Sequence, residues 1–108
     1  MLKVEIVMDE EKILAEGKYS LEDIYFTIDE LFAKKNLKKI DNGVYSDNGS
    51  DQDYANLWIN ISALRKAEWF MSNTKKWLWY NSDDGNDESD FSIEDLKSYF
   101  GTNVMVGV

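Results

Sequence analysis

All four tryptophans of this 108-residue chain (Trp58, Trp69, Trp77, Trp79) fall between Tyr54 and Tyr80. Aromatic side chains bury more area than any others, so the chain gains most where they are concentrated, and the remaining elements must be arranged to cover that stretch. From Tyr54 to Ala63 the residues alternate. Ala55, Leu57, Ile59, Ile61 and Ala63 fall on one side, and Tyr54, Asn56, Trp58, Asn60 and Ser62 on the other, which is the pattern of a half-buried strand. Glu68 to Tyr80 reads as a hairpin around Asn73, Thr74, Lys75 and Lys76. An even loop keeps the two-residue period across the turn, so Trp69 and Met71 sit beside Leu78 and Tyr80, and Phe70 and Ser72 beside Trp77 and Trp79. Both sides of that hairpin are then apolar. One is covered by a helix, and the other needs a second cover, a partner or exposure to solvent.

The flanking segments supply the cover. Leu2 to Met8 alternates Leu2, Val4, Ile6 and Met8 against Lys3, Glu5 and Val7, a first strand; Asp9 to Glu11 make a polar turn, and Lys12 to Lys18 reads as a weaker hairpin partner. Ser20 is an N-cap with Asp23 three residues on, and Leu21, Ile24, Tyr25, Ile28, Leu31 and Phe32 follow at helical spacing. Early acids (Glu22, Asp23) and late lysines (Lys34, Lys35) complement the helix dipole, so a long amphipathic helix is expected from Leu21 to Lys35. Asn36 ends it. Leu37 to Ile40 and Val44 to Ser46 flank Asp41-Asn42-Gly43, a short hairpin with an Asn-Gly turn. Near the end, Ser92 caps a short helix from Ile93 to Phe100 with Gly101 in the C′ position, and Asn103 to Val108 is apolar enough for a last strand. The expected fold class is α+β, one domain over residues 1–108: an antiparallel β-sheet with one long amphipathic helix packed on one face and a short C-terminal helix.

Composition narrows the chemistry. The chain has no cysteine, histidine or proline, so thiol chemistry and zinc-thiolate sites are excluded, and acid–base work would fall to carboxylates, lysine or tyrosine. Any metal would need an all-oxygen site. Met1-Leu2-Lys3-Val4-Glu5 meets an acid too early for the apolar region of a signal peptide, and no apolar run approaches a membrane span, so a soluble cytoplasmic chain is expected.

Net charge is −9, and it is concentrated in two places. Asn81 to Asp95 holds seven acids and no base, Asp41 to Asp53 holds four acids and no base, and the remaining residues sum to +2. As a calcium loop the first segment fails. Counted from Asp83, Gly85 stands where an oxygen ligand is needed and Glu88 where the EF-hand needs glycine. Its acids Asp83, Asp84, Asp87, Glu88 and Asp90 are instead candidates for contact with a basic, nucleic-acid-binding type of protein surface, through an attraction that salt would weaken. The same charge disfavours direct binding to nucleic acid. A second candidate is an aromatic face of Trp58, Phe70, Trp77 and Trp79, which if exposed could stack on a small ligand, carbohydrate or peptide, or join two copies of the chain. The competing role for those rings is the core between sheet and helices.

Carboxylate pairs abound in so acidic a chain and single out no catalytic residue, and no glycine-rich phosphate loop is present. The expectation is a non-enzymatic interaction protein, an inhibitor or regulator of a basic partner, with no cofactor and no metal. A binding module or homodimer built on the aromatic face is the alternative.

Overall fold

A computed structural model of the protein describes residues 1–82 and 92–106, with side chains through residue 101. The elements run β1 (Leu2–Met8), α1 (Glu10–Glu16), α2 (Leu21–Lys34), β2 (Lys38–Asp41), β3 (Val44–Ser46), α3 (Asp53–Arg65), α4 (Glu68–Met71), β4 (Thr74–Asn81), β5 (Ser92–Asp95) and α5 (Leu96–Val106). The fold is α+β, with a five-stranded sheet in the order β2-β3-β1-β4-β5 and every neighbouring pair antiparallel.

That order contains two crossovers. The chain passes from β1 through α1 and α2 to β2, skipping the place later filled by β3, and from β3 through α3 and α4 to β4, skipping β1. Each crossover joins parallel strands, and the second starts from a reversed strand while travelling in the opposite direction across the sheet. Two reversals cancel, so crossovers of the same hand lay their helices on the same face. Burial agrees: Val4, Ile6, Tyr45, Trp77 and Trp79 are buried on that face, while Lys3, Glu5, Lys76, Leu78 and Tyr80 on the other are not.

The helices meet the sheet through their apolar stripes. Ile24, Ile28 and Phe32 of α2 are buried at four-residue spacing, and Phe32 stacks on Tyr45 with ring centroids 4.1 Å apart. Ser20 caps α2, its hydroxyl accepting from the Asp23 N–H. Leu57, Ile61 and Leu64 of α3, Phe70 of α4, and Leu96 and Phe100 of α5 complete the core.

Several expectations are corrected. A single long amphipathic helix does not describe the fold, because α3 with 13 residues nearly matches α2 with 14. Tyr54 to Ala63 is α3 and no strand. Its buried positions Asp53, Leu57, Asn60, Ile61 and Leu64 recur every three or four residues, and Ile59, which alternation would bury beside Ile61, is 50% exposed. The first arm of the expected hairpin is the single turn α4, while its second arm is β4. Lys12 to Lys18 is no strand either. Asp9 caps α1 by accepting from the Lys12 N–H at 3.2 Å, and Gly17, with φ 63°, closes it by donating to the Ile13 carbonyl at 3.1 Å. At the C-terminal side, Ser92–Asp95 is an edge strand, and the helix starts at Leu96 with Asp95 as its cap, accepting from the Ser98 N–H at 3.1 Å. That helix runs through Gly101 to Val106, where a turn residue and a last strand were expected.

Candidate functional site

The aromatic face is core. Phe70 and Trp77 have no exposure, Trp79 is 4% exposed and Trp58 is partly buried. Trp77 lies between Phe70 (4.8 Å, edge-to-face) and Phe100 (5.4 Å), and Trp79 meets Trp58 edge-to-face at 5.4 Å. The buried indole N–H groups of Trp58 and Trp77 have no hydrogen-bond acceptor among the described residues. Phe70, Trp77 and Trp79 are therefore closed to an outside ligand, and Trp58, on α3, is partly buried against them.

The acids Asp83, Asp84, Asp87, Glu88 and Asp90 lie outside the described residues, but the strands that carry their segment do not. Asn81 of β4 pairs with Ser92 of β5, the two described strands that flank the segment. Ser82 anchors its start: the Ser82 N–H donates to the Met1 carbonyl at 3.0 Å, and the Met1 ammonium donates to the Ser82 hydroxyl at 2.7 Å. On the other flank of β1, the Leu2 N–H donates to the Asp47 carboxylate and the Asp47 N–H donates to the Leu2 carbonyl, each at 3.1 Å.

The second acidic segment, Asp41 to Asp53, divides. Asp41 ends β2, paired with Val44, at the opposite end of the sheet. Asp53 is buried, and its Oδ2 accepts from the N–H groups of Asn48 (2.7 Å) and Ser50 (2.9 Å), so it organises the loop. Asp51 is exposed and Asp47 partly so.

A further cluster, invisible in the linear pattern, lies at the Met8 end of β1. Glu10 of α1, Tyr25 and Asp29 of α2, Lys39 of β2, and Asn42 and Gly43 of the β2–β3 turn line an open cavity of about 360 Å³. The Tyr45 hydroxyl donates to Asp29 Oδ1, and Lys39 Nζ lies 3.0 Å from Asp29 Oδ2. Burial, then the bond to Asp29, raises the Tyr45 hydroxyl well above its ordinary pKa. Burial, then Glu10, raises Tyr25 as well. Both phenols therefore stay protonated, and Tyr45 donates to Asp29. Tyr25 and Asp29, one helical turn apart on the edge of the α2 stripe, were the one part of the cluster that spacing could have exposed. The others come from three separate elements.

Among the described residues no three carboxylates converge as a metal site, and no helix is long and apolar enough to cross a membrane. The chain matches no protein-family model and no curated protein sequence, so its function must be argued from these residues.

Proposed function

We propose that the protein is a non-enzymatic interaction protein that engages a basic protein surface through the acidic end of its sheet. The supporting observation is the strand register. Asp47 and Ser82 bracket Met1 and Leu2, so the acidic segments leave the sheet from the same end with only β1 between them. Two interstrand spacings separate their points of departure, about 10 Å, which is close to the Debye length of about 10 Å at 0.1 M salt. Carboxylates gathered at that spacing reinforce one another's field and favour a partner of opposite charge.

The test is capture from a lysate of the source organism on the immobilised protein, eluted from low salt to about 0.5 M, where the Debye length falls to a few ångström. A variant carrying Asp83→Asn, Asp84→Asn, Asp87→Asn, Glu88→Gln and Asp90→Asn is run in parallel. The expected outcome is a basic protein released by salt and missing from the variant. The same protein retained by both forms, or no basic protein from either, refutes the proposal.

A further inference from the structure

The cavity at the opposite end of the sheet combines features that the acidic segments do not share. Its walls come from four elements, so the carboxylates of Glu10 and Asp29 face one space although 19 residues separate them in sequence. The Asp29 carboxylate is oriented by the Tyr45 hydroxyl, and Glu10 and Tyr25 line the same cavity. The Tyr45 bond takes Asp29 Oδ1 and leaves Oδ2 for a second donor. That second donor is the chain's own Lys39 ammonium, at 3.0 Å. A cation is thus already seated in the cavity, held by a pair whose side chains are 45% and 38% exposed. Ion pairs that open to solvent are weak and readily exchanged.

We propose that this cavity is a binding site for a guanidinium group, presented by an arginine side chain of the basic partner, with Lys39 as the internal cation it displaces. In that last respect the inference rests on the function proposed above; the cavity's affinity for the cation does not. Guanidinium suits the lining better than ammonium. It is planar, donates along several directions at once, is weakly hydrated, and can lie against the Tyr25 ring while bonding to Asp29 Oδ2 and Glu10 together. With Lys39 in place the two acids and one base leave one net negative charge; with Lys39 withdrawn the cavity holds two.

Lys39 therefore competes with the ligand, and its removal should tighten binding. The experiment titrates agmatine, which carries a guanidinium and an ammonium, into the full chain while following the ring resonances of Tyr25 and Tyr45 by NMR, with 1,4-diaminobutane as the ammonium control of equal charge. Saturable shifts at both tyrosines are expected for agmatine, with 1,4-diaminobutane binding more weakly. Lys39→Ala should bind agmatine about threefold to tenfold tighter, the range of a released exposed ion pair plus one unit of local charge. Glu10→Gln should bind several-fold more weakly. Lys39 and Glu10 are both exposed, so an unchanged thermal midpoint separates loss of the site from loss of the fold. No saturable shift in either the native chain or Lys39→Ala overturns the proposal, as does equal affinity of Lys39→Ala and the native chain. The five-fold neutralised variant of the acidic end should bind agmatine as the native chain does, so failure of the acidic-end proposal and failure of this one give different results.

Discussion

Gly43 shows how much one residue can settle. It has φ 72°, and its carbonyl accepts from the Ile6 N–H at 2.8 Å, bringing the β2–β3 turn against the central strand. A Cβ there would lie 2.2 Å from the Ile6 carbonyl oxygen, which is backbone and cannot swing away. Gly43→Ala should therefore cost about 2–4 kcal/mol, combining the left-handed conformation with a displaced turn, as read from urea unfolding. Tyr45 supplies a pH test. Its folded pKa lies above the ordinary 10.0, so the unfolded chain loses that proton first. Its contribution is complete below about pH 10 and is lost as pH rises beyond it. The urea midpoint should fall between about pH 10 and 12, and fall less over that interval in Tyr45→Phe, which starts roughly 1 kcal/mol lower at neutral pH through loss of the Asp29 bond. The Asn-Gly turn was legible in sequence because only small or flexible residues accept that backbone. The Tyr45–Asp29 contact was not, because it joins residues 16 apart through the packing of a strand under a helix.

At the scale of elements, α3 shows why a correct apolar count gave the wrong period. Apolar residues at 55, 57, 59, 61 and 63 satisfy alternation, but Leu57, Ile61 and Leu64 also satisfy a helical stripe, and the polar Asn60 disguises it. The structure resolves the conflict by burying Asn60, whose side-chain amide donates to the Leu31 carbonyl near the end of α2. Helix and strand make opposite predictions for two isoleucines on the same side of the alternation. Ile61→Ala should cost about 2–5 kcal/mol and Ile59→Ala about 0.5 kcal/mol or less, measured by chemical denaturation. Equal costs would restore the strand. For α2 the cap, stripe and terminal charges agreed, and Ser20→Ala should cost roughly 1 kcal/mol. The Asp9 and Gly17 signals around α1 were equally present in the sequence, but the alternation of Ile13, Ala15 and Gly17 obscured them.

At the scale of the whole molecule, the α+β class followed from strands read at both ends and in the middle with one long and one short helix; the class holds although the expected strands at Tyr54–Ala63 and in the tail are helical, and the sheet order could not be read from local pattern. Placing two crossovers on one face leaves the other to Lys3, Glu5, Lys76 and Tyr80, where Tyr80 donates to Glu5 at 2.9 Å and Lys76 lies 3.6 Å from it. Charge is also a global property here. A net charge of −9, with two acidic segments leaving the same end, implies self-repulsion in the folded state. Raising salt from about 20 to 300 mM should raise the thermal midpoint, and the five-fold neutralised variant should show a smaller rise in the same scan. A midpoint independent of salt in the native chain would mean that the two segments do not feel one another.

The central place of β1 also sets the order in which the molecule can be completed during synthesis. Leu2–Met8 precedes both its neighbours in the chain, and its longest pairing, with Thr74–Asn81, needs residues that emerge only after two helical crossovers have been made. Until then Val4 and Ile6 have no Trp79 and Trp77 across from them. A nascent chain exposed as far as Asn73 would contain α1 to α4 without a finished sheet, and its first strand would remain protease-sensitive until β4 slid in beside it.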